Sequence, residues 1–98
     1  MTPFPDDLGD PGSYLTLEQG MAALSSDGED LGRVEEVLAD ENSDVFDGLV
    51  VRMGTLGRDR RFVEAAQVEE IYERGVVLKL DAAGARDLPR REDAAGRP

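Results

Sequence analysis

The stretch SSDGED (residues 25–30) constrains this chain more than any other. It sets Asp27–Gly28 between two apolar runs, and Asp-Gly in that position is the mark of a β-hairpin, because the central residues of a type I′ turn both need positive φ. The turn joins MAAL (21–24) to DLGRVEEVLAD (30–40). In the second run Leu31, Val34, Val37 and Leu38 do not keep one parity, whereas a regular strand alternates. The spacing therefore predicts a bulge or sharp coil near Glu35–Glu36, of the kind small barrels use to curve. A helix also fits positions 31, 34 and 38. Gly32, the weak helix propensity of valine and the flanking turns argue against it.

The remaining chain keeps the same short rhythm. ENSD (41–44) turns into VFDGLVVRM (45–53), where Leu49, Val51 and Met53 share one face while Phe46 and Val50 lie on the other. A strand apolar on both sides is covered on its outer side or meets a partner there. GTLGRDR leads to RFVEA (61–65). AAQVEEIYERG (65–75) reads equally well as a helix ended by Gly75 or as a turn followed by a strand. VVLKL (76–80) alternates cleanly, with Val76, Leu78 and Leu80 inward and Lys79 outward, and DAAGARDLP (81–89) suits one helical turn stopped by Pro89. About six short strands at intervals of about 8–12 residues predict an all-β domain, a small barrel or a sandwich.

Composition narrows the chemistry. Ninety-eight residues make one small domain with a modest core. Without cysteine or histidine the chain has no disulfide, thiol nucleophile or imidazole base, and the usual zinc ligands are missing. The net charge of −11 disfavours a general nucleic-acid binder, because affinity for phosphate backbones comes from Lys and Arg, and it would be repelled by an anionic membrane surface. No apolar run is long enough to span a bilayer, and MTPFPDDLGDPGSY lacks the basic start and apolar stretch of a secretory signal. A cytoplasmic protein without membrane insertion is expected.

Four groups of residues could carry chemistry. Asp40, Asn42 and Asp44 alternate like the first ligands of a calcium loop. The sixth position of that loop is Val45 where glycine is needed, and the twelfth is Val51 where a glutamate is needed, so an acidic turn is the better reading, with at most a weak cation. Glu35–Glu36 and Glu69–Glu70 are sequence neighbours, and neighbours on a strand face opposite ways; a pair such as Asp47 with Glu64 would have to form across strands. Arg52, Arg58, Arg60 and Arg61 surround one predicted hairpin. They suit an RNA or phosphate contact, the rim of a protein interface, or a solvated tip partly offset by Asp59; the scarcity of aromatics lowers the RNA reading. GDPG and DAAGAR lack phosphate-loop spacing, and Ser13, Ser25, Ser26 and Ser43 have no histidine to activate them. These readings leave no catalytic residue, cofactor or metal assigned.

The ordered set of motifs resembles the PRC-barrel family. Its outline is met by Gly20–Met21, by Asp27–Gly28 with Gly32 and Val34, by Gly48, Val50 and Val51, by Phe62, Val63, Ala65 and Val68, and by Val76 and Leu78. Ala23 departs from the larger residue usual there, and VEAAQV lacks a common corner proline. The wording is most similar to stand-alone actinobacterial members of the family. The resemblance covers about residues 14–80, with an extension to 89. It implies a six-stranded PRC-type β-barrel, a non-catalytic adaptor that commonly self-associates, and a turn plus strand for residues 66–73.

The expectation is thus a barrel at 14–80, flexible arms at 1–13 and 90–98, and a homodimer that also meets an unidentified protein partner. Phe46 and Val50 would form its contact surface, with Arg52, Arg58, Arg60 and Arg61 at the rim. The alternative is an RNA- or ribosome-associated factor similar to the ribosome-maturation members of that family. An enzyme using clustered carboxylates is the third possibility.

Overall fold

A computed structural model describes residues 8–40, 42, 45–54 and 57–90. The expected hairpin is present, joining β1 (Ala22–Leu24) to β2 (Asp30–Asp40). Its loop is one residue longer than a type I′ turn. The Gly28 amide donates to the Ser25 carbonyl at 3.0 Å, and Gly28 takes the left-handed conformation, φ 87°, at the third loop position. Buried Ser25 explains the difference. Its hydroxyl bonds the Asp27 carboxylate and accepts from the Glu29 amide, so Asp27 is folded back over the turn.

β3 (Val45–Met53), β4 (Asp59–Glu64), β5 (Val68–Ile71) and β6 (Gly75–Leu78) complete a six-stranded sheet of order β4-β3-β2-β1-β6-β5. Pairing is antiparallel except between β1 and β6, which run parallel. A 3₁₀ turn at Ala65–Gln67 carries the chain from β4 to β5, the two outermost strands, and resolves the ambiguous segment as a turn plus a strand. β4 and β5 are not hydrogen-bonded to each other, so the ring expected from the sequence is open at this seam. α1 (Ala82–Ala85) is one helical turn, capped by Asp81, whose Oδ1 accepts from the Gly84 amide at 2.7 Å.

One core joins both ends of the sheet. Ala23, Val34, Leu49, Val51, Val63, Val76 and Leu78 are fully buried together, and Ala85 and Leu88 of the C-terminal segment close over them. The predicted inward faces of β3 and β6 are thus the observed ones, with Lys79 outside. The expected irregularity in β2 falls where the parity breaks: Val34 pairs with Val51 and Glu36 with Val50, leaving Glu35 as the extra residue. That bulge keeps Val34 inside and turns Val37 inside as well.

The fold reaches further towards both termini than residues 14–80. Leu8 is buried, and the Arg74, Glu73 and Gly12 amides donate to the carbonyls of Leu8, Asp10 and Ile71 at 2.8, 3.0 and 2.8 Å. Residues 8–13 of the expected arm therefore lie along the β5–β6 hairpin. At the opposite edge the Phe62 amide donates to the Pro89 carbonyl at 2.8 Å, and Arg61 forms a β-bridge with Arg90. The rest of both expected arms lies outside the described residues.

Candidate interaction surface

Phe46 and Val50 do not share a face. Leu38 pairs with Gly48 and Ala39 with Phe46, so Asp47 is an extra residue in β3 and the alternation shifts there by one. Phe46 consequently packs on the core side, against the same cluster as Leu49. Val50 stays on the outer side between Glu36 and Phe62, and it is fully buried within the chain. The ring of Phe62 lies over Gly48, where an added Cβ would come within 3.1 Å of it. Val50 therefore offers no surface to a partner, and the expected contact surface loses one of its two members.

Phe46 instead stacks on Tyr14. Their ring centroids are 5.4 Å apart and their planes 9° from parallel. Tyr14 is positioned by a 3₁₀ turn, Tyr14–Thr16, held by a capping box: the Ser13 hydroxyl accepts from the Leu15 amide at 3.2 Å, and the Thr16 hydroxyl accepts from the Ser13 amide at 3.3 Å. In the chain Leu15 follows Tyr14 and Val45 precedes Phe46. These are the large apolar side chains most open to solvent among the described residues, 75% and 46% exposed. The stacked pair thus ties together the two segments that carry them. Phe46 also lines a shallow groove of about 270 Å³ with Gly12, Ala65, Val68 and Ile71, and with Glu69 and Glu70 at its polar side.

The four hairpin arginines divide into two kinds. Arg61 is structural: its Nε is 2.7 Å from Asp59 Oδ1, and its Nη1 donates to the carbonyls of Arg86 and Leu88, each at 2.7 Å. Arg60 Nε lies 2.8 Å from Glu35 Oε1, the bulged residue of β2. Arg52 and Arg58 are exposed and make no ion pair or side-chain hydrogen bond within the described residues. The guanidinium of Arg61 beside Asp59 holds that carboxyl below the ordinary carboxylate range and raises the pKa of Arg61 in turn. The Ser25 hydroxyl likewise lowers Asp27. Both shifts favour permanently ionised groups, the wrong direction for a general acid at neutral pH.

Asp40 accepts from the Asn42 amide at 3.0 Å, the Asx arrangement that suits an acidic turn. Asp44 lies outside the described residues, among which no three acidic side chains gather as a metal cage would. No helix of the described residues is long and apolar enough to cross a membrane. The sequence matches no family model and no curated protein.

Sequence reasoning missed Tyr14, Leu15 and Val45. The capping box around Tyr14 was legible in SYLT, but its partner depends on the bulge at Asp47, which no local pattern announces.

Proposed function

We propose that this chain is a cytoplasmic, non-catalytic protein-binding module of the PRC-barrel type that self-associates through the surface around Tyr14 and Phe46. The observation that carries the reading is that the two exposed large apolar residues, Leu15 and Val45, are the chain neighbours of the stacked rings of Tyr14 and Phe46. Apolar side chains of this size left open beside a fixed aromatic pair favour burial against a partner. A two-fold dimer places the same patch on both subunits and adds the packing area that a domain this small lacks. The family reading is supported by the ordered motifs and by one sheet of six strands around one core, with bulges in β2 and β3 and the 3₁₀ turn at Ala65–Gln67 joining its two outer strands.

Sedimentation analysis tests this directly. The protein should be dimeric at about 100 μM, and rising salt should tighten the dimer by screening the repulsion between two strongly acidic copies. Leu15→Glu and Val45→Glu should both give folded monomers that melt where the parent melts once diluted out of its dimer, since both side chains are exposed. A monomeric parent protein at that concentration, or dimers untouched by both substitutions, would refute self-association through this surface.

A further inference from the structure

The register of the sheet puts three arginines in one row. Arg33 of β2 pairs directly with Arg52 of β3, and Arg52 with Arg60 of β4. Like charges placed opposite one another on adjacent strands destabilise a sheet. The two outer members of the row are answered within the chain: Arg33 Nη1 is 3.1 Å from Asp30 Oδ1, and Arg60 is held by Glu35. The middle one, Arg52, has no such partner among the described residues. In a chain with 22 acidic residues against 11 basic ones, the cation with most reason to find a carboxylate lacks one among the described residues.

The row also borders a hollow. Arg33 and Arg52 line a concavity of about 380 Å³, with Gly32, Gly54 and Gly57 its other walls among the described residues. Among the described residues only the two arginines bring side chains to it, and its size lies within the range of small-ligand sites. A guanidinium offers two parallel N–H donors to a tetrahedral oxyanion. The Arg33–Asp30 pair, with side chains 49% and 44% exposed, is the sort of surface contact that yields to a better partner.

We propose that this hollow binds the phosphate group of a small molecule, gripped by Arg52 and joined by Arg33 as it turns from Asp30. The overall negative charge repels a long polyanion, whereas one phosphate meets only the local row. The same chemistry is presented by free inorganic phosphate and by a phosphate monoester.

The test is an amide and arginine-side-chain NMR titration of the full chain at constant ionic strength. Its probes are inorganic phosphate, glycerol phosphate, hexaglutamate and a short oligouridine. Saturable shifts should centre on Gly32, Gly54, Gly57 and the Nε–H groups of Arg33 and Arg52. Tighter binding of the monoester would mark a phosphorylated metabolite, and equal binding would mark the free ion. Arg52→Gln should weaken binding at least about tenfold, Arg58→Gln should leave it unchanged, and the melting temperature of Arg52→Gln should hold or rise as repulsion in the row is relieved. The proposal falls if neither phosphate gives saturable shifts, if the shifts spread equally over Arg58, Arg86 and Arg90, or if hexaglutamate or oligouridine binds more tightly than both.

Discussion

Gly32 shows how much a single residue can fix in this protein. Its backbone, at φ 151°, passes so close to the Arg52 carbonyl that no Cβ could be placed there. Gly32→Ala must push β2 away from β3 at the point where Arg33 and Arg52 meet, and should destabilise the fold by on the order of 2–3 kcal/mol in urea unfolding. Leu49→Ala, which opens a fully buried site in the core, should cost about 2–5 kcal/mol. Either loss is large for a domain of this length, whose whole stability is on the order of 5–10 kcal/mol. The sequence singled out Gly32 as a break in helical spacing, yet the reason for glycine there is a neighbour twenty residues away. Leu49 was legible at once, because alternation across β3 already placed it inward.

At the scale of elements, the sheet edges are the feature that local patterns could not show. Each outer strand carries a terminal segment: Pro11 bridges Tyr72 beside β5, and Arg90 bridges Arg61 of β4, with the Pro89 carbonyl accepting from Phe62. The bonds beside Pro11 are made by Asp10 and Gly12, so Pro11 turns its N–H-less side outward and blunts an edge that would otherwise invite another chain. Arg61 fastens the C-terminal one. Arg61→Ala removes its pair with Asp59 and both hydrogen bonds to the carbonyls of Arg86 and Leu88, and should cost about 1–3 kcal/mol. Hydrogen exchange at the Phe62 amide should accelerate in step. Arg60→Ala, which breaks a more exposed pair, should cost no more than about 1 kcal/mol and leave that amide protected. The β2 bulge was legible because it breaks the parity of apolar residues. The β3 bulge was not, because Asp47–Gly48 reads as ordinary alternation until the register with β2 is known.

The whole molecule is governed by its excess of negative charge. Acidification from neutral pH first neutralises part of the self-repulsion implied by a net charge of −11, so stability should rise towards about pH 5. Further acidification should reverse the trend. Asp27 and Asp59 are held below the ordinary value of 3.8 when folded, so the stability they contribute is complete above that value and is lost as the pH falls through their lowered folded values. Thermal melts across pH 3–8 should therefore pass through a maximum. High salt should flatten the rise on its neutral side, and Asp59→Asn should soften the fall on its acid side. What the residues settled by themselves was local. Asp-Gly set the first reversal, alternating apolar residues set the strands and most of their inward faces, and Asp81 set the helical turn, since each depends on neighbours a few positions away. The open seam, the burial of Val50, the inward turn of Phe46 onto Tyr14, the covered edges and the arginine row belong to the tertiary structure. All of them depend on which distant residues lie opposite one another, and one extra residue in a strand changes the facing of everything beyond it.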